Sequence, residues 1–167
     1  MRLFDPKFKK YIGRYIVQSL MAASVLLIIL AILHIQTHMV VIAAIGSSTF
    51  IVFAMPGAKQ AIPRSLIGGH LVGLVSGAVC YLPFLWLSIP EGSISYELYL
   101  VFAGALSVGL AIFLMTVTDT EHAPAAGTAL GIILQGLSGT TALFIIASAL
   151  GLSLARWLLR GWLRDLV

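Results

Sequence analysis

A few polar side chains in an otherwise apolar chain could hold a proton or meet an anion: Ser47, Ser48, Arg64, His70 and His122. Histidine can change charge near neutral pH, and arginine stays cationic. Two prolines add a different kind of site. Pro63 and Pro124 each stand at the mouth of an apolar run and lead into small residues. Proline suits the first helical position because it has no N–H to leave orphaned. The helix it opens presents uncovered amides and a positive dipole end, which together attract anions. The clearest case is TVTDTEHAPAAGTALG, Thr116 to Gly131. There the amides of Ala126, Gly127 and Thr128 are expected to face a solute, uncovered by any large side chain.

No lysine or arginine lies between Arg64 and Arg156. A cation that assists an anion in mid-chain must therefore be Lys59, Arg64, a protonated histidine or a helix end. Arg64, beside Pro63, could draw anions or simply fix topology. His70 lies about one and a half turns into an apolar segment. Polar groups at such depth face a bundle interior and mark pathways, although a structural histidine with satisfied hydrogen bonds fits too. Asp119 and Glu121 are expected to favour the charged form of His122. Gly46, Ser47 and Ser48 sit in the middle of another apolar segment, while His34 and His38 share a polar turn and read as solvated. The chain has no nucleophile elbow, phosphate loop or HExxH, and no base and orienting group accompany Ser47 and Ser48. His122 with Asp119 and Glu121 fits no recognised metal spacing. No enzyme, cofactor or metal is expected.

These residues need a membrane around them. Hydrophobic residues make up 60% of the chain and charged ones 10%, with a mean hydropathy of +1.06. Soluble domains carry about 25% charged residues, so this chain could not cover a water-facing surface. The sequence predicts an all-α polytopic membrane protein with about five crossings. A basic head over 1–14 precedes a membrane domain over 15–155, and 156–167 forms an amphipathic tail. The crossings are expected at Tyr15–Ile35, Met39–Met55, Ser65–Leu87, Leu98–Val117 and Ala125–Ala155. The second is barely long enough, and the last is long for one span yet too short for two. The first is too long for a signal peptide and has no cleavage site after it. Cys80, the single cysteine, excludes a disulfide framework.

Five basic residues in the head place the N-terminus in the cytoplasm of a plasma (inner) membrane protein. Five crossings keep Lys59 and Arg64 inside but export Arg156, Arg160 and Arg164. Four crossings, with a re-entrant second segment, reverse the conflict. Arginine at every fourth tail position, beside Trp157 and Trp162, reads as an interfacial helix lying on anionic lipid rather than nucleic acid. Small residues repeat four apart along three segments: Ser65, Gly69, Gly73 and Gly77; Ala103, Ser107 and Ala111; Gly127, Gly131, Gln135 and Gly139. Such stripes let helices approach closely or border a narrow pathway. IPRSLIGGHLVGLVSG and APAAGTALGIILQGLSG further resemble each other, which suggests a repeat of two hairpins, a plan transporters often use.

IGSSTFIVFAMPGAKQAIPRSLIGGHLVG and LMTVTDTEHAPAAGTALG resemble the HPP family of small integral membrane proteins. The likeness runs from about Met39 to Gly131, and carries Pro-Arg, Gly-Gly-His and a His-x-Pro-Ala element in the family's order. The name motif, His-Pro-Pro, stands here as His122-Ala123-Pro124, and the glycine that follows it is displaced to Gly127. The family includes a plant chloroplast nitrite transporter. The resemblance thus implies movement of nitrite or a similar small anion, with Gly46, Ser47, Ser48, Arg64, His70, His122, Pro124, Gly127 and Thr128 as candidate binding residues. The lipid bilayer, the anion and further copies in a homo-oligomer are the expected partners. The alternative is a membrane scaffold whose glycines serve only packing.

Overall fold

The computed structural model describes residues 8–33, 39–87 and 89–167. The first half of the basic head, residues 1–7, and the turn holding His34 and His38 lie outside them. The described residues form an all-α bundle: α1 (Phe8–Leu33), α2 (Met39–Ala54), α3 (Pro63–Leu87), α4 (Ile94–Val117), α5 (Pro124–Gln135) and α6 (Gly139–Leu159), with a 3-10 turn over Lys59–Ala61. The protein is a polytopic α-helical membrane protein. Helices α1, α3, α4 and α6 are long and apolar enough to cross a bilayer. The other two are short. α2 has 16 residues and α5 has 12, about 24 and 18 Å of helix against a hydrocarbon core of about 30 Å.

The last apolar segment is therefore two helices, not one crossing. Gly136 adopts φ 82, a left-handed conformation that glycine reaches without a Cβ penalty. Ser138 then caps α6 by accepting from the Thr141 amide. The amide of Gln135, oriented by its neighbours, places its oxygen 2.8 Å from the Met39 N and 3.2 Å from the Val40 N. The end of α5 thereby caps the start of α2, and the two short helices finish together.

This extra reversal removes the charge conflict that an odd number of crossings creates. Contacts join the start of α1, the end of α2, the 3-10 turn and the tail at one end of the bundle. Tyr15 Oη donates to the Leu166 carbonyl at 2.9 Å. The buried Gln18 amide donates to Phe53 O at 2.7 Å and to Arg164 O at 2.9 Å. Arg156 reaches the Pro56 carbonyl at 2.8 Å, and Lys59 reaches Asp119 at 2.6 Å. Arg14, Lys59, Arg64, Arg156, Arg160 and Arg164 consequently share that end. The tail differs from the expected interfacial helix. Helix α6 stops at Leu159, and the chain then turns back so that Leu163 is buried and the Leu166 amide reaches Ala54 O. Trp157 and Trp162 stay exposed.

The stripe on α3 packs against α5. A Cβ on Gly69 would lie 2.5 Å from that of His122, and one on Gly77 would lie 2.7 Å from Cβ of Ile132. One on Gly73 would run into the Ala125 carbonyl oxygen. On its other side α5 turns Gly131 toward Val41, where a Cβ would meet Cγ2 at 2.7 Å. Glycine here sets the distances between helices, and α5 sits enclosed by α2, α3 and α4.

Candidate functional site

Ser48, His70, His122 and Thr128 come from four separate elements and meet in the interior. Each is 1% exposed or less. Helix α2 supplies Ser48 from its inner face and α3 supplies His70 from the turn after Gly69. The α4–α5 loop supplies His122, and the second turn of α5 supplies Thr128. The absence of a Cβ on Gly69 lets the backbone at His122 come close enough for its ring to enter.

Thr128 Oγ1 lies 2.9 Å from His70 Nδ1. Ser48 Oγ lies 2.9 Å from His70 Nε2 and 2.8 Å from His122 Nε2. His122 Nδ1 lies 2.9 Å from the Gln60 carbonyl. The imidazole centroids are 5.0 Å apart, with ring planes at 59°, so one serine hydroxyl bridges both rings. Polar groups this deep are costly unless hydrogen-bonded, and here every ring nitrogen has a partner. Burial pushes His122 down to about 4, against a smaller upward pull from the Gln60 carbonyl. Its resting form near pH 7 is neutral.

Asp119 and Glu121, expected to charge His122, serve Lys59 instead. Lys59 Nζ lies 2.6 Å from Asp119 and 2.9 Å from Glu121, raising the lysine above its ordinary value and lowering Asp119. Asp119 takes a positive φ of 56, and the following turn directs the acids to the surface while His122 turns inward. Arg64 is also at the surface, 3.4 Å from Asp119 and donating to the Thr118 carbonyl at 3.1 Å. It clamps the α4–α5 loop beside the 3-10 turn, outside the buried cluster.

Ser47 is exposed on the outer face of α2 and donates to Ala43 O at 3.0 Å. Gly46 has open space where a Cβ would stand. Neither joins the cluster, because adjacent helical positions point about 100° apart. Pro124 does begin α5 and Pro63 does begin α3, but the α5 mouth is not open. The Ala125 amide donates to His122 O at 2.9 Å and the Ala126 amide to Ala123 O at 3.1 Å. Ala123 is helical at φ −51 and ψ −40, although the residue before a proline favours an extended backbone, and its amide donates to Gln60 Oε1 at 3.0 Å. Gly127 approaches Ala44 rather than a pathway.

Sequence reasoning missed Gln60 entirely. It holds both His122 and Ala123, yet its only sequence signal is a polar residue in a short loop. Ser48 was named without its partners, since nothing in a sequence shows that two histidines 52 positions apart share one hydroxyl.

Residues 9–163 match the HPP transmembrane region. The chain belongs to the HPP family. This HPP protein is also 31% identical over 109 residues to a transmembrane protein of Dictyostelium discoideum, a match that covers 62% of the chain. It covers only 35% of that larger relative. No solved structure matches the chain.

Proposed function

We propose that this HPP protein moves a small monovalent anion across the membrane without altering it chemically, with nitrite the first candidate. The observation that carries this reading is the buried chain Thr128–His70–Ser48–His122. A bundle that only needed to pack would fill this volume with apolar side chains, whereas polar residues facing a membrane-bundle interior mark solute and ion routes. It lies where two helices too short to cross run beside long ones, within two turns of the starts of α3 and α5, and sites built on interrupted helices are a recurring transporter device. The family resemblance adds nitrite as solute. The end bearing Arg14, Lys59, Arg64 and the tail arginines is read as cytoplasmic, in a plasma membrane homo-oligomer.

The scaffold reading draws on Gly69, Gly73 and Gly77, whose contacts with the His122 loop and α5 are pure packing. Purified protein in liposomes separates the two. Transport predicts nitrite uptake faster than in protein-free vesicles of the same lipid. A scaffold predicts equal rates.

A further inference from the structure

We propose that the anion travels together with a proton, and that His122 is the group on which the proton rides, reached from Thr128 through His70 and Ser48. This rests on the transport reading above and names its coupling ion.

The direction of each hydrogen bond follows from its fixed end. The Gln60 carbonyl can only accept, so His122 Nδ1 carries a hydrogen and donates to it at 2.9 Å. In neutral His122, Nε2 is then a bare acceptor facing Ser48 Oγ. Ser48 has one hydrogen and three acceptors within reach, His122 Nε2 at 2.8 Å, His70 Nε2 at 2.9 Å and the Ala44 carbonyl at 3.0 Å. Of these, donation to His122 is the choice that leaves no bare ring nitrogen without a hydrogen to accept. His70 satisfies both its neighbours by donating from Nε2 to Ser48 and accepting at Nδ1 from the Thr128 hydroxyl. The whole row thus points one way, from Thr128 to Gln60.

Such a row can load one proton and hold it. As a proton arrives on Thr128 Oγ1, Thr128 passes its own to His70 Nδ1. His70 passes the Nε2 proton to Ser48, and Ser48 passes its own to His122 Nε2. One proton has entered, His122 is an imidazolium, and His70 has exchanged tautomer. Thr128 and Ser48 each still carry one hydrogen. Every atom keeps a partner: His122 Nε2 now donates to Ser48, Ser48 donates to His70 Nε2, and His70 Nδ1 donates to Thr128. The relay stops at His122, because a peptide carbonyl does not take the next proton. The row holds its proton while the anion is present and gives it up by the same transfers in reverse, from His122 through Ser48 and His70 to Thr128, on the side to which the site then opens.

Charge then selects the cargo. The groups around His122 are Ser48 from α2, His70 from α3, Gln60 from the 3-10 turn and Asp119 and Glu121 from its own loop. The two acids are held at the surface by Lys59, with Arg64 on Asp119. No lysine or arginine lies between Arg64 and Arg156, so an imidazolium is the positive charge the interior can offer. An unpaired buried cation is expensive, and so is an unpaired buried anion. Each admits the other, and the pair moves without net charge. The burial that keeps resting His122 neutral is what ties its protonation to the arrival of an anion. The fitting cargo is a small monovalent oxyanion, the conjugate base of an acid.

The test uses the whole chain in liposomes, with nitrite as probe and the membrane potential clamped. A gradient of one pH unit, alkaline inside, should drive nitrite inward toward about tenfold accumulation, at an initial rate above that of protein-free vesicles. An imposed voltage at equal pH should not drive it. Flux that follows voltage and ignores pH overturns proton coupling but leaves transport standing; no flux above protein-free vesicles overturns both. His122→Gln cannot carry the proton and should lose the pH-driven component, and its survival there overturns the assignment to His122. If that variant does not fold, ¹⁵N NMR of the parent decides. Nitrite should convert His122 from its Nδ1–H neutral form to imidazolium, and an unchanged spectrum refutes the coupling.

Discussion

Replacing Gly73 by alanine tests whether close approach of α3 and α5 holds the buried cluster together. An added Cβ would collide with the carbonyl oxygen of Ala125, stand 3.2 Å from its carbon and 3.3 Å from Cβ of Thr128. Two of these atoms are backbone of α5 and cannot rotate away, so the helices must separate. Overpacking of this kind costs about 1–3 kcal/mol, partly offset by the roughly 0.5–1 kcal/mol that alanine gains over glycine in a helix. The net expectation is a loss of up to about 2.5 kcal/mol, toward the upper end because the atom struck is backbone. The displacement also acts on Thr128, whose hydroxyl lies 2.9 Å from His70. Gly109→Ala is the matched control, because nothing lies within 4 Å of a Cβ there; it should be neutral or slightly stabilising. Thermal unfolding in mild detergent measures both. Equal melting temperatures for the two variants would refute the account of the α3 stripe as a fitted contact.

Restoring the family's second proline, Ala123→Pro, should change stability by less than about 1 kcal/mol: φ −51 suits proline, and the roughly 0.5–1.5 kcal/mol lost with the bond to Gln60 is offset by about 0.4–1 kcal/mol from a stiffer unfolded chain. Unfolding of the pair in detergent checks this. Stability should also fall on acidification, because His122 at about 4 is depressed from an ordinary 6.5. The unfolded chain binds this proton below pH 6.5 and the folded one only near 4, so about 3 kcal/mol present above pH 6.5 is lost as pH falls through 4. His122→Asn should flatten that slope in pH-dependent unfolding. Asp119, also lowered, keeps its contribution down to its unfolded value of 3.8 and loses it below, whereas Lys59, raised above 10.5, loses its own only as pH climbs past that value. In the His122→Asn background, hydrogen exchange in the α4–α5 loop, corrected for its intrinsic pH dependence, should therefore accelerate only outside that range.

Much of this architecture was legible because burial in lipid demands long apolar helices, and Pro63 and Pro124 mark where two of them start. The break at Gly136 was harder to see. A helix pattern tolerates glycine, and only the φ of 82 together with the Ser138 cap ends α5. Once that reversal is known, the tail arginines and Lys59 fall at one end. Ser48, His70, His122 and Thr128 were each readable as polar residues in apolar surroundings. Gly46, Ser47 and Arg64 carried the same signal and face outward, since residue type does not report which side of a helix meets its neighbours. The acids beside His122 misled for a related reason: adjacency in sequence says nothing of a positive φ at Asp119 that turns them toward Lys59.

Ser48 and Ser47 offer the most direct test of the central claim, because they are consecutive residues with the same side chain, one buried and one exposed on α2. Ser48→Ala removes the hydroxyl that lies 2.9 Å from His70 and 2.8 Å from His122, and Ser47→Ala removes one bonded only to its own helix at Ala43. Initial rates of nitrite uptake into liposomes should collapse for Ser48→Ala, in protein that still reconstitutes, and match the parent for Ser47→Ala. Parent-like uptake through Ser48→Ala would contradict the claim that the buried histidine–serine cluster is the path's working site.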